Sequence, residues 1–432
     1  MNLREVKVCD SKNLKELPDL TQATNLEELD ISACPQLTSV NPSIFSLNKL
    51  QRLNIGYCYI TKVVSNNHLS SLRYLSLGSC PNLEEFSVTS ENMIELDLSY
   101  TRVNALPSSF GRQSKLKLLR LGSTDIKKLP SSFKNLTALQ YLSVELSRQL
   151  HTLTELPPSL ETLDATGCVS LKTVLFPSIA QQFKENRRDV RFWNCLNLDE
   201  HSRKAIGLNA RINAMKSAHQ HLSAPDQNYN NYSRKYRFYQ VKYVYPGRKI
   251  PEWFEYQTRD DYIMIDLPST PRSSQLGFIF SFVISYPLHR TVGYFSRFTF
   301  HIIISDDGGY KSEKSSINIY MSALHLRPNS KHVCVIYDQR CSRYLNSRAE
   351  NKRRLKIEVE VMGDTHPEWG AELEAFGVSV INTSAYHNFV QQINTSSGHN
   401  FIQHIGMSDP MHSLCLKSSC AYPSCGLDED FD

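Results

Sequence analysis

The chain has 432 residues, a formal net charge of +5, 41% hydrophobic residues and eleven cysteines. That length suggests two or three domains, and no basic stripe dominates, so the charge pattern speaks against nucleic-acid binding. No apolar run reaches the roughly 18 residues of a membrane span, no N-terminal apolar targeting segment follows Met1, and thiols without a pairing framework fit a reducing, cytoplasmic or nucleocytoplasmic compartment.

From Leu3 to about Leu175 the chain repeats L-x-x-L-x-L-x-x-C-x-x-L. Clear copies are Leu26-Leu29-Ile31-Cys34-Leu37, Leu50-Leu53-Ile55-Cys58 and Leu72-Leu75-Leu77-Cys80-Leu83. Others run through Met93-Leu96-Leu98-Thr101 and Leu116-Leu119-Leu121-Thr124, with weaker ones from Leu3, Leu139 and Leu160. Starts fall roughly 21–24 residues apart, inside the leucine-rich-repeat range. One such unit cannot bury its own apolar residues, so neighbours must stack. The x-L-x-L-x piece alternates like a strand, which predicts a parallel sheet on the inner wall of an arc. Cys34, Cys58, Cys80 and Cys168 share one slot, where a small weakly donating thiol suits a buried turn. The LPSS pieces at Leu106–Ser109 and Leu129–Ser132 belong to the return side, because Pro cannot join a ladder.

Residues between the leucines face out of the inner wall. They mix charge with tyrosine, as protein interfaces do. Glu28, Asp30, Arg52, Asn54, Tyr57, Tyr74, Glu95, Asp97, Tyr100, Arg120, Tyr141 and Glu145 are therefore the candidate partner-binding residues of the concave face.

The array is expected to span 1–175 and a helical cap 176–222. Phe192, Trp193, Cys195, Leu196 and Leu198 form an apolar plug there, and Asp199 is a plausible cap for a helical run from Arg203 to Leu222. His219 and His221 sit two apart, point to different helix faces and read as surface side chains. The basic runs Arg187–Arg191 and Lys352–Lys356 read as solvated loop or strand edge. Residues 223–233 (SAPDQNYNNYS) read as a linker. From 234 to 383 the period changes to alternation. Strands are expected at Tyr236–Tyr245, Tyr262–Leu267, Leu276–Ser285, Arg297–Ser305, Ser316–Leu324, His332–Asp338, Arg354–Met362 and Leu373–Asn382. The polar segment 384–432 is expected to be disordered. The fold class is thus an α/β leucine-rich-repeat solenoid followed by an all-β antiparallel sandwich of jelly-roll or immunoglobulin-like type.

Two signatures coincide: ATNLEELDISAC at Ala23–Cys34 with ELPDL at Glu16–Leu20, and YPGRKIPEWFEYQ at Tyr245–Gln257 followed by LGF at Leu276–Phe278. Together with FWNCLNLDEHSRKAIGLNA at Phe192–Ala210, they closely resemble the C-terminal half of plant intracellular immune receptors of the TIR-NBS-LRR class, especially legume members. The resemblance implies recognition of a pathogen effector or a guarded host protein through the concave repeats and the post-repeat domain together, with a full-length receptor as a further partner. Arg248, Lys249, Arg259 and Asp260 are the contact candidates in the second domain. The chain has no TIR module and no G-x-x-x-x-G-K-[ST] loop, so it is expected to be truncated, a recognition fragment or a decoy. It is expected to hold no cofactor or metal and to be no enzyme. His289, His301, His325 and His332 are dispersed, and no nucleophile–base context appears. The alternative is a lectin-like jelly roll stacking sugars on Trp253, Tyr294 and Trp369.

Overall fold

The repeats give, in chain order, β1 (Glu5–Lys7), β2 (Glu28–Asp30), β3 (Arg52–Asn54), β4 (Lys62–Val64), β5 (Tyr74–Ser76), β6 (Glu85–Ser87), β7 (Glu95–Asp97), β8 (Leu118–Arg120), β9 (Tyr141–Ser143), β10 (Thr152–Leu153), β11 (Thr162–Asp164), β12 (Thr173–Val174) and β13 (Asp189–Arg191). The computed structural model describes residues 3–65, 69–224, 239–267, 276–285, 296–305, 311–321, 330–349, 352–363 and 372–395. β1, β2, β3, β5, β7, β8, β9, β11 and β13 form the parallel inner wall, each with its middle residue turned inward. Leu29, Leu53, Leu75, Leu96, Leu119, Leu142, Leu163 and Val190 are buried there. The returns use 3-10 turns at Pro42–Ser46, Ser108–Arg112 and Ser131–Asn135, plus the outer strand pairs β4–β6 and β10–β12. So short a return leaves little room for an α-helix, and Pro107 and Pro130 sit just before two of the turns, where a missing N–H costs nothing.

After each inner strand the backbone turns through the left-handed region. It does so at Asp10, Ala33, Tyr57, Ser79, Tyr100, Ser123, Leu146 and Asn194, with φ between 55° and 60°, and at Gly167 with φ 73°. The next residue is the thiol or hydroxyl slot. Cys34, Cys58, Cys80 and Cys168 are free and buried, and each Sγ donates to a carbonyl of the repeat before it, on Val8, Ile31, Ile55 and Val144 at 3.0–3.3 Å. Thr101 and Thr124 fill the slot by donating to Leu98 O and Leu121 O.

The array extends one repeat beyond 175. β13, the left-handed Asn194 and the Cys195 thiol donating to Ala165 O reproduce the unit. Helix α1 (Ile179–Gln182) stretches that repeat and hides its period. The plug expected at Phe192–Leu198 is therefore the turn of a further repeat.

The second region contains β14 (Gln240–Pro246), β15 (Tyr256–Thr258), β16 (Tyr262–Asp266), β17 (Gly277–Ser285), β18 (Ser296–Ser305), β19 (Lys311–Met321), β20 (Lys331–Asp338), α3 (Gln339–Ala349), β21 (Arg354–Gly363) and β22 (Glu372–Ile381). Two antiparallel layers, β14-β20-β17-β22-β15 and β16-β21-β18-β19, enclose Phe278, Phe280, Phe282, Phe300, Ile336 and Phe376. β14 also pairs in parallel with β13, through Asp189↔Lys242 and Arg191↔Val244. The inner wall and the first layer are thus one fourteen-stranded sheet. Strand pairing crosses from the array to the second region, and most of the linker expected at 223–233 falls on residues that are not described. Residues 225–238 lie outside the described residues.

Helix α2 (Glu200–Leu222) starts at Asp199, whose Oδ1 accepts from Ser202 N at 2.6 Å. It is buried on several sides, because it packs against β12 of the array and also behind β14, β20 and β17. His221 is consequently buried rather than a surface side chain, its Nδ1 2.5 Å from Tyr337 Oη. Met1–Tyr386 is one compact unit, apart from His387–Asp432. Helix α4 (Ala385–Thr395) replaces the disorder expected from 384, because Tyr386, Phe389 and Ile393 supply an apolar face at helical spacing. Residues 396–432, with Cys415, Cys420 and Cys425, lie outside the described residues.

Candidate functional site

Two columns of side chains run across the open face of the inner wall. One is Glu5, Glu28, Arg52, Tyr74, Glu95, Leu118, Tyr141, Thr162, Asp189; the other is Lys7, Asp30, Asn54, Ser76, Asp97, Arg120, Ser143, Asp164, Arg191. Glu28, Asp30, Arg52, Asn54, Tyr74, Glu95, Asp97 and Arg120, all candidates from the sequence, line one trough of about 310 Å³. Its charges are partly matched. Arg52 Nε lies 3.2 Å from Glu28 and its guanidinium covers the Tyr74 ring at 3.8 Å. Arg120 lies over Tyr141 at 5.8 Å. Burial pushes the Asp30 carboxyl up, but hydrogen bonds from Ser32 and Asn54 more than offset it and hold it below its ordinary value. Farther along, burial and then the Asp164 carboxylate raise Glu145. Arg191 bridges Asp164 at 3.2 Å and Asp189 at 2.5 Å.

Tyr57, Tyr100 and Glu145 lie beyond their strands. Tyr57 and Tyr100 occupy the left-handed turn at the rim, 67% and 50% exposed. Strict alternation would turn both inward with Leu53, Ile55, Leu96 and Leu98; the left-handed turn ends the alternation first and brings them out at the rim. The second-domain candidates divide. Arg248 and Lys249 are exposed just past the end of β14, beside the last repeat. Arg259 and Asp260 are exposed past β15, four strand spacings farther along the sheet, roughly 19 Å. These four do not form one site with the trough.

The YPG-to-WF motif is structural. A Cβ on Gly247 would meet Val333 Cγ2 at 2.6 Å, so only glycine permits that approach. Phe254 is buried, and Trp253 holds Arg211 of α2 at 5.3 Å from its ring. A sugar platform at Trp253 thus meets an existing occupant; Tyr294 and Trp369 lie outside the described residues.

Sequence reading also missed a buried polar cluster. Arg187 is 2% exposed and forks onto Glu185 at 2.9 and 2.7 Å, so this basic run is no solvated loop. Asn209 donates to Glu185 and Gln182, Tyr243 Oη donates to Asn209, and Lys216 donates to the Phe183 and Glu185 carbonyls. Arg188 is matched by Glu161, and Arg191 by Asp164 and Asp189. No signal short of the fold brings these segments together. Likewise His332 Nε2 accepts from Asn194 N at 3.0 Å, tying β20 to the last repeat's turn. Among the described residues no group of His, Cys, Asp and Glu is arranged to hold a metal, and no helix is long and apolar enough to cross a membrane.

The Leucine rich repeat family matches residues 24–81 and the C-JID domain family residues 245–385. Among Arabidopsis thaliana proteins, Disease resistance protein RML1B is 30% identical over 346 residues, 72% of this chain and 29% of that protein. Disease resistance protein RML1A is 34% identical over 227 residues, 47% of this chain and 22% of that protein. Disease resistance protein RPS4B is 23% identical over 84% of this chain and 37% of its own length. The chain therefore spans well under half of each relative. Leucine-rich repeats followed by a C-JID domain, similar over most of the chain to disease resistance proteins, identify it as the counterpart of the C-terminal part of plant disease resistance receptors.

Proposed function

We propose that the chain is a protein-binding recognition module of a plant intracellular immune receptor of the TIR-NBS-LRR type, working in the cytoplasm and without chemistry of its own. Its partner is a pathogen effector or a host protein that effectors modify. It acts as the sensing part of a longer receptor, or as a decoy beside a full-length one. One observation supports this above the others: a polar trough with aromatic and charged side chains lies open on the inner wall, and that wall runs on by strand pairing into the C-JID region, where the second layer covers it. Lys242 marks that boundary, its Nζ donating to Asn318 O at 2.6 Å. A long concave wall meeting a second surface suits a protein partner better than a small molecule.

The test is an Arg52→Glu/Arg120→Glu variant. Both side chains lie on the open trough, so the fold should survive. Cross-linked pulldowns from infected leaf extract are compared with wild type. The expected result is loss of specific partners from an intact, folded protein. An unchanged set of partners would remove the concave face from the proposal.

A further inference from the structure

We infer that the rim of the trough carries a slot for an arginine side chain of a partner protein, formed by Tyr57 and Tyr100 on either side of Ser79, with the Asp97 carboxylate at its foot. This rests on the concave-face reading and deepens it, by naming what the partner presents.

A repeated backbone conformation is the starting point. The left-handed turn position disfavours bulk. Asp10, Ala33, Ser79, Ser123, Gly167 and Asn194 meet that demand. Tyr57, Tyr100 and Leu146 do not: they hold φ at 59°, 57° and 59°, but Leu146 is half-buried and packed against the next turn, where a Cβ on Gly167 would meet its Cδ2 at 2.5 Å. Tyr57 and Tyr100 are 67% and 50% exposed, so core packing does not repay their strain. Strain kept at a surface position, with an aromatic side chain on display, is a mark of binding sites.

The spacing fits one flat group. Tyr57 and Tyr100 are two repeats apart, about two strand spacings or ~10 Å. Tyr57 N donates to Gly78 O, Ser79 N to Ser99 O, and Tyr100 N to Gly122 O, all at 2.7–2.9 Å, so the three turns are locked in register. Ser79 is small and leaves the gap open. At its foot, a Cβ on Gly78 would lie 3.2 Å from Asp97 Cγ and Oδ1. Glycine there lets the Asp97 carboxylate reach toward the slot. Asp97 Oδ1 accepts from Ser99 N at 2.9 Å; Oδ2 takes no hydrogen bond among the described residues, and no cation pairs with Asp97 there. The neighbouring cation, Arg120, is over Tyr141 instead. Tyr100 feels the carboxylates: after burial, Glu145, Tyr57 and Asp97 push its phenol up. A guanidinium is flat, permanently charged, stacks on aromatic faces and forks onto a carboxylate, and so matches the walls and the foot together.

The full chain, 13C-labelled in its tyrosine rings, is titrated with acetyl-Gly-Arg-Gly-amide. The citrulline counterpart, uncharged and nearly isosteric, is the control. Saturable movement of the Tyr57 and Tyr100 signals is expected with the arginine peptide, at least about ten-fold weaker with citrulline, while Tyr74 and Tyr141 stay put. Tyr57→Gly/Tyr100→Gly should fold readily, since glycine suits the turn, and should unfold at a higher temperature than wild type while losing the saturable response. Asp97→Asn should weaken it about ten-fold. Equal response to both peptides, or saturation that survives the double glycine variant, overturns the slot. If the slot fails while Arg52→Glu/Arg120→Glu still loses partners, the concave-face reading stands without it.

Discussion

One sheet lives two lives in this molecule. Follow a single register line: Asp97, Arg120, Ser143, Asp164, Arg191, then Val244, Cys334, Phe282, Phe376. Up to Arg191 the line is polar: Asp97, Arg120 and Arg191 are half-buried on the open face, and Ser143 and Asp164 are buried beneath their neighbours. From Val244 it is apolar and lies beneath the second layer, where Phe282 stacks on Phe300 at 4.1 Å. Across that border the pairing changes from short parallel strands to longer antiparallel ones, yet the register line runs on; what covers the face also changes. Pairing continuity fixes where a side chain points, and the residue type at each point selects docking surface or core.

The comparison breaks most sharply at equivalent positions. Phe282→Ala should cost about 3–5 kcal/mol in urea unfolding, whereas Arg120→Ala on the same line should stay within about 0.5 kcal/mol. Equal losses would mean the trough is a covered core. The junction comes next. Arg187→Met strands the buried Glu185 carboxylate and should cost about 3 kcal/mol, the low end for a broken buried pair because Asn209 still donates to Glu185. A negligible loss would show that the border is held by backbone pairing alone.

A third measurement uses pH. Burial pushes His332 down to about 3 from its ordinary 6.5. The unfolded chain then binds a proton below pH 6.5 that the folded chain refuses until about pH 3. This contribution is constant above 6.5 and falls by about 1.4 kcal/mol per pH unit below it, about 2 kcal/mol by pH 5. His332→Gln should flatten that part of the stability curve between pH 7.5 and 5; an unaltered slope refutes the assignment. The smallest effect lies within the solenoid. Ala33→Gly, at φ 55°, should stabilise by up to about 1 kcal/mol in thermal melts.

The inner strands were legible because leucines at fixed spacing state both the period and the face. The sandwich layers were legible because Val, Ile and Phe alternate between turns. Neighbourhood was not legible. Nothing in Asp189–Arg191 or Gln240–Pro246 announces that they pair, and a short helix obscured the last repeat. Arg187 and His221 look like surface residues until Glu185 and Tyr337 arrive from elsewhere in the fold. Tyr57 and Tyr100 were chosen as candidates but given the wrong local geometry, because the left-handed turn carries no residue signature when tyrosine stands in it.

The thiol ladder has a practical consequence. Burial pushes Cys80 up to about 12 and raises Cys58 and Cys195 as well. Thiols so protonated and enclosed should resist alkylation while their coil of the solenoid is closed. Each is therefore a chemical tally of opening at its own address. Mass spectrometry of a timed iodoacetamide pulse would show which end of the arc frays first, and whether a docked partner clamps it shut.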